Sequence, residues 1–103
     1  MKLFPTMTIG HQVYTIELKD KEWFRDAERF GHCDFLRSTI AVCNEAMNEA
    51  HIINTLIHEV LHALFREYNL PPDHEEHIVT CLANGLTQTL RDNPEFVKVL
   101  KKL

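Results

Sequence analysis

The strongest constraint on the fold of this chain is a run of apolar residues spaced three and four apart between residues 48 and 68. Such spacing places the side chains on one face of an α-helix, because successive residues turn by about 100° around the helix axis. Asn48 is a favoured N-cap residue, and the sequence NLPPD at residues 69–73 interrupts the pattern. We therefore predict a long helix from about residue 48 to about residue 68. Its apolar face would consist of Ile53, Leu56, Ile57, Val60, Leu61, Leu64 and Phe65.

The residues before this helix predict two strands and one short helix. Residues 8–18 alternate loosely between apolar and polar side chains and contain VYTI, which predicts a strand entered through Gly10. Residues 19–31 have apolar positions at helical spacing, which predicts a short amphipathic helix that stops at Gly31. A second strand is predicted over residues 35–43. The apolar residues of the short helix would be Trp23, Phe24, Ala27 and Phe30.

Two further helices are predicted after the long one. Asp73 and Glu76 have the spacing of a capping box at the start of a helix over residues 74–91. Pro94 suits the first position of a last short helix. Strands followed by helices, without an internal repeat or linker, indicate an α+β fold in which residues 1–103 form a single domain. The inward face of the second helix would consist of Val79, Leu82, Ala83, Leu86 and Leu90.

Charge and hydropathy argue against two classes of function. The formal net charge of -4 disfavours nucleic-acid binding, since phosphate contacts need a basic surface. The sequence shows no basic and apolar leader and no apolar run long enough to cross a bilayer, so membrane attachment is not expected. Three cysteines without CxxC spacing suit free thiols in a reducing compartment better than a disulfide framework. We therefore expect a cytoplasmic protein.

The sequence HEVLH at residues 58–62 predicts the chemistry. His58 and His62 are four residues apart and project from the same helix face, so both imidazoles can bind one metal ion. Glu59 lies about 100° round the axis from His58, where a carboxylate stands beside the ion without coordinating it. Zinc (Zn2+) held by three protein ligands keeps a fourth position for water, whose proton Glu59 could accept as general base. His51 lies two turns away, about 10 Å along the axis, and is not expected to reach the same ion.

A third ligand is expected from the first turn of the next helix, since the NLPPD turn reverses the chain. The candidates are His74, Glu75, Glu76 and His77. Both glutamates lie within about 60° of the centre of the predicted inward face, whereas His77 points away from it. The residues therefore predict a His, His, Glu site in which Glu75 and Glu76 remain alternatives. Glu76 also has a rival role as the capping-box partner of Asp73.

These stretches resemble the minimal zincins of the gluzincin type, in particular the small phage and prophage-encoded metallopeptidase-like proteins related to the ImmA/IrrE peptidases. The resemblance covers about residues 30–100. It rests on TLIHEVLHALF at residues 55–65 and on EEHIVTCLANGLTQTLRDNPEF at residues 75–96. It implies a small zincin-like domain in which a short β-sheet packs on the HExxH helix and further helices follow.

The resemblance also assigns roles to individual residues. His58, His62 and Glu76 would bind zinc, and Glu59 would be the general base. The stretch DFLRSTIAV at residues 34–42 resembles the family's edge strand, which implies that an extended peptide pairs with it. The resemblance assigns no residue to stabilise the oxyanion of the transition state; the candidates that are near enough in sequence are Tyr68, His74 and His77.

The leading functional prediction is a zinc-dependent metallopeptidase that hydrolyses peptide bonds in a peptide or protein substrate. Glu59 favours catalysis, because a purely structural metal site has no use for a general base. The alternative is a non-catalytic, zinc-stabilised interaction or regulatory module encoded by a phage. A metal-free helical adaptor is a third hypothesis. The sequence does not predict the substrate, the cleavage specificity or the oligomeric state.

Overall fold

Four strands and three helices make up the computed structural model of the protein, which describes residues 1–26, 28–45 and 48–103. This arrangement confirms the predicted α+β class. One 3-10 turn lies between the second and third strands. The elements in chain order are β1 (Thr6–Ile9), β2 (Gln12–Lys19), β3 (Gly31–Asp34), β4 (Thr39–Cys43), α1 (Glu49–Glu67), α2 (Glu75–Asp92) and α3 (Pro94–Leu100).

The strands form one mixed sheet in the order β1-β2-β4-β3. A two-residue turn joins the antiparallel strands β1 and β2, and its first residue, Gly10, adopts a positive φ of 61° that glycine tolerates without strain. β2 pairs with β4 in parallel, and β3 pairs with β4 in antiparallel fashion. β3 is therefore an edge strand and β4 lies inside the sheet. This corrects the expectation that residues 34–42 form the edge.

One face of the sheet packs against α1. Tyr14 and Ile16 of β2 lie on this face together with Ile40 and Val42 of β4, since alternate residues of a strand share a face. They bury the apolar side of α1, including Leu56. Burial of each such side chain contributes about 1.5–3 kcal/mol relative to exposure. This contact fixes α1, and with it the HEVLH sequence, against the sheet.

The predicted helix over residues 19–31 is wrong. The structure has only a 3-10 turn at Glu22–Phe24. The Lys21 ammonium donates to two backbone carbonyl oxygens later in the same loop, and these bonds favour a loop over a continuing helix. Ala27, one of the predicted helix positions, lies outside the described residues. Gly31 begins β3 instead of ending a helix.

The predicted strand over residues 35–43 is shorter than expected, because only Thr39–Cys43 is extended. The carboxylate of Asp34 explains the break. Its Oδ1 accepts hydrogen bonds from the backbone N–H groups of Leu36 at 3.0 Å and Arg37 at 3.1 Å. An aspartate that binds the backbone two and three residues ahead stabilises a turn. The turn returns the chain from β3 into β4.

The predicted long helix is confirmed, whereas the predicted capping box is not. The Oδ1 of Asn48 accepts a hydrogen bond from the backbone N–H of His51 at 2.9 Å, as expected of an N-cap. At the start of α2 the N-cap residue is His74, which has a left-handed φ of 61° and no capping side chain. Asp73 and Glu76 therefore do not cap this helix, and Glu76 is available for another contact.

The inward face of α2 is narrower than predicted. Val79 and Ala83 are fully buried against α1, while Leu82 and Leu86 remain 47% and 39% exposed. This corrects the predicted five-residue inward face, because α2 lies on α1 and no further layer covers its other side in the described part of the chain. Pro94 opens α3 as predicted. Within the described residues, no helix is both long and apolar enough to span a membrane.

Candidate metal centre

α1 places His58 and His62 one turn apart, with their ring centroids 5.0 Å from each other. The carboxylate of Glu76, from the first turn of α2, bridges them. Its Oε1 lies 2.9 Å from His58 Nε2, and its Oε2 lies 2.8 Å from His62 Nε2. The candidate ligand atoms of these three residues all lie within 4.8 Å of one another. Two imidazole nitrogens and one carboxylate oxygen thus converge as a metal ion requires.

The turn between α1 and α2 brings Glu76 to this position. Asn69 adopts a left-handed φ of 51° just after α1, a conformation that asparagine tolerates. The backbone N–H of Leu70 then donates to the carbonyl oxygen of Phe65 at 2.9 Å and closes the helix end. His74 makes the second left-handed step before α2 begins. The two reversals direct the first turn of α2 back at the HEVLH face.

Glu75 contacts the same histidine as Glu76, but on the other ring nitrogen. Its Oε2 lies 2.6 Å from His62 Nδ1, whereas Glu76 Oε2 lies 2.8 Å from His62 Nε2. The residues alone left Glu75 and Glu76 as alternatives for the third ligand. The structure brings Glu76 to both histidines and Glu75 to one. Only Glu76 therefore belongs to the group of candidate ligands.

The electrostatic surroundings of His58 suit metal binding. Burial lowers the pKa of His58; Glu76 acts in the opposite direction, and His62 adds to the lowering. A lowered pKa favours the neutral imidazole, whose free lone pair is the one that coordinates a metal. Zinc accepts two imidazole nitrogens and one carboxylate oxygen and leaves a fourth position open for catalysis. The residues present thus fit a zinc ion.

Glu59 lies beside the candidate ligands and is only 6% exposed. Burial raises the pKa of its carboxyl from 4.5 to about 7, although His62 and Arg29 lower it. The carboxyl fits here because residue 31 is glycine. A Cβ on Gly31 would lie 2.7 Å from Glu59 Oε2 and 2.7 Å from Thr55 Cγ2. Gly31 therefore permits the close approach of β3 to α1, a role that the sequence reasoning missed.

An open cleft of about 530 Å³ runs past Glu59. Among the described residues of its wall, Arg29 is the only lysine or arginine, and its Nε donates to the carbonyl oxygen of Gly31 at 3.0 Å. A side-chain hydrogen bond of 2.9 Å from Asn54 to Asn84 links α1 and α2 at this cleft. The volume is that of a site for a small molecule or a short peptide segment.

His51 lines the same cleft without joining the ligand group, as predicted. Its ring lies 5.0 Å from that of Phe30, and its Nδ1 is buried without a hydrogen-bond partner in the described part of the chain. The three side chains considered as transition-state donors do not form part of the cleft wall. These residues, all exposed, are Tyr68, His74 and His77.

A second cavity, of about 440 Å³, lies on the other side of His62. The guanidinium carbon of Arg66 lies 5.2 Å from the centre of the Phe35 ring in its wall. Because both cavities share His62, space for a ligand extends in two directions from the candidate metal centre. The remaining walls are mostly apolar and include Phe65, Leu70, Pro71 and Pro72.

Comparison of the chain with protein-family models, with curated proteins and with solved structures found no match. The resemblance to minimal zincins therefore rests on the sequence motifs alone and stays a prediction. The geometry itself establishes a possible metal-binding group formed by His58, His62 and Glu76. A buried carboxylate and an open cleft lie next to this group.

Proposed function

We propose that the protein is a zinc-dependent metallopeptidase that hydrolyses peptide bonds. The observation that carries the proposal is Glu59, which is buried beside three convergent ligand atoms and has its carboxyl pKa raised to about 7. A general base is most effective when its pKa lies near the working pH. A purely structural metal site would not need a carboxylate at this position.

Each side chain of the site would have a distinct role in the proposed hydrolysis. Zinc, when bound, would polarise the substrate carbonyl and lower the pKa of the attacking water. Glu59 would accept the proton of that water and then deliver it to the departing amine. His58, His62 and Glu76 would hold the ion while leaving one position open. Arg29, in the cleft wall, would supply positive charge near the reacting group.

A peptide or protein is the substrate class that the surroundings of the site favour. β3 is an edge strand, and its unpaired side can accept an extended peptide through backbone hydrogen bonds. A peptide along this strand would pass Glu59 near Gly31 and approach the second cavity near Phe35. The three cysteines are free thiols, which supports a reducing compartment such as the cytoplasm as the place of action.

The proposal is tested by incubating the chelator-treated protein, with and without one equivalent of zinc, with a diverse peptide library and identifying products by mass spectrometry. We expect cleavage only with zinc, and none by Glu59→Gln, since the amide keeps the shape but cannot accept a proton. Glu95→Gln, on exposed α3, is the matched control and should cut normally. Wild-type turnover by Glu59→Gln would show that the proposed mechanism is wrong.

A zinc-stabilised interaction module is the second candidate function, and one observation favours it. α2 and α3 expose apolar side chains, among them Leu82, Leu86 and Phe96, which are 47%, 39% and 48% exposed. Apolar residues that recur on an uncovered surface are typical of protein contacts. A wild-type protein that binds zinc but cuts no member of the library would favour this function over hydrolysis.

A further inference from the structure

The carboxylates of two successive glutamates, Glu75 and Glu76, contact the two ring nitrogens of His62. Glu75 Oε2 lies 2.6 Å from His62 Nδ1, and Glu76 Oε2 lies 2.8 Å from His62 Nε2. Neighbouring residues of a helix point about 100° apart, so their carboxylates reach the same ring only from different sides. Glu75 therefore cannot substitute for Glu76 at the ion, because it contacts the nitrogen that faces away from the ligand group.

The contact with Glu75 holds a hydrogen on Nδ1 of His62. A carboxylate only accepts hydrogen bonds, so the 2.6 Å contact of Glu75 requires a proton on Nδ1, and the 2.8 Å contact of Glu76 likewise requires one on Nε2 in the metal-free protein. A metal ion in the candidate ligand group would take the place of the proton on Nε2, which is the atom that lies beside Glu76. With Nδ1–H still bonded to Glu75, the ring would keep the tautomer that coordination through Nε2 needs.

The exposures of the two carboxylates agree with these different roles. The side chain of Glu75 is 26% exposed and that of His62 is 17% exposed, whereas that of Glu76 is 71% exposed. A charge-assisted hydrogen bond is stronger where water is excluded. The more shielded carboxylate is therefore the one that fixes the ring, and the more accessible one is the candidate ligand.

We propose that Glu75 is a positioning residue that orients His62 and strengthens metal binding without touching the ion. The inference rests on the metal site of the proposed function but not on peptide hydrolysis. Carboxylates that accept the second N–H of a metal-bound histidine fix its orientation and raise its basicity. Their loss typically lowers metal affinity by about 10–100-fold.

A purely structural role for Glu75 is the competing explanation. An acidic residue in the first turn of a helix stabilises the helix by about 0.3–1 kcal/mol through the helix dipole. Asp73, two residues earlier and exposed, provides the matched control, because Asp73→Ala also removes one negative charge near the start of α2. Glu75→Gln provides the conservative variant, since its amide oxygen can still accept the N–H of His62.

The experiment measures zinc dissociation constants by chelator competition for the wild type and the three variants. We expect Glu75→Ala to weaken binding by about 10–100-fold, Glu75→Gln to fall between it and the wild type, and Asp73→Ala to stay within about threefold. Urea unfolding of the metal-free variants identifies any loss of fold. An affinity of Glu75→Ala within threefold of the wild type would overturn the proposal.

A second measurement separates failure of this inference from failure of the proposed function. Nitrogen-15 NMR of the metal-free wild type should show a proton on His62 Nδ1 that is protected from exchange with water, and Glu75→Ala should lose that protection. If the wild type binds no zinc, the proposed function fails, yet this spectrum still decides whether Glu75 orients His62. A wild-type His62 that carries its proton on Nε2 alone would overturn the inference.

Discussion

Replacing Glu59 by glutamine is expected to stabilise the metal-free protein, and to do so mainly at high pH. Burial raises the pKa of this carboxyl from 4.5 to about 7 in the folded protein. Between these values the unfolded chain releases the proton while the folded chain keeps it, so the free energy of unfolding falls as the pH rises. Above about pH 7 the folded protein carries the full cost of a buried carboxylate. Glutamine has nearly the shape of the protonated acid and never ionises.

The size of the expected stabilisation follows from the pKa shift of Glu59. A pKa raised from 4.5 to about 7 corresponds to about 3 kcal/mol, at about 1.4 kcal/mol for each pH unit. The assay is urea unfolding of the chelator-treated wild type and Glu59→Gln at pH 5 and pH 8, with circular dichroism as the signal. The difference in unfolding free energy between Glu59→Gln and the wild type should be about 2–3 kcal/mol larger at pH 8 than at pH 5.

An exposed glutamate provides the control for this measurement. Glu95→Gln, on α3, should change the unfolding free energy by less than about 0.5 kcal/mol at both pH values. A stabilisation by Glu59→Gln that is absent, or equal at pH 5 and pH 8, would refute the reasoning. The expected result would show that the buried carboxylate of Glu59 lowers the stability of the protein at a position where a base is needed, as is common at functional sites.

Gly31→Ala should lower the unfolding free energy by about 1–3 kcal/mol, because its Cβ would overlap Glu59. Gly85→Ala, in α2 where nothing lies within 4 Å, should raise the unfolding free energy by about 0.5–1 kcal/mol. Urea unfolding checks both, and equal effects would contradict the close approach at residue 31. Asn48→Ala should cost about 1 kcal/mol in the same assay through loss of the α1 cap; an unchanged midpoint would contradict this. Glu76→Ala should release zinc to a chelator at about micromolar concentration, and retention of zinc would exclude it as a ligand.

The part of the site that lies on α1 could be predicted because one helix fixes it. The spacing of His58 and His62 determines their common face, and the position of Glu59 follows from the same geometry. The bounds of α1 were also predictable, since the Asn48 cap and the apolar positions are local signals. The predicted bounds of α1 and the common face of His58 and His62 therefore agreed with the structure, whereas Ile53, predicted on the apolar face, is 39% exposed.

The contacts between elements could not be predicted in the same way. Glu75 and Glu76 follow His74, which has a left-handed φ. The direction that α2 takes after His74 decides which of the two glutamates contacts His58. The local pattern predicts a helix stop at Gly31. The contact of Gly31 with Glu59 joins distant parts of the chain and therefore leaves no local signal. In each case the deciding contact is tertiary, and a local pattern carries no information on it.

The errors before α1 have a different physical cause, which is competition from polar side chains. Lys21 binds backbone carbonyl oxygens in its loop and Asp34 binds backbone N–H groups in the following turn. Such bonds offer the backbone an alternative to helix or strand. The apolar spacing that predicted a helix over residues 19–31 instead serves a small cluster on the outer face of the sheet. Its described residues are Phe24, Phe30, Ala41 and Cys43.

Zinc K-edge X-ray absorption of the protein loaded with one equivalent of zinc tests the central claim most directly. We expect a first shell of nitrogen and oxygen only, at about 2.0–2.1 Å, with the outer-shell scattering of two imidazoles from His58 and His62. A sulfur shell at about 2.3 Å, which Cys33 or another thiol would produce, or the signal of a single imidazole, would contradict the assignment of His58, His62 and Glu76 as the metal ligands.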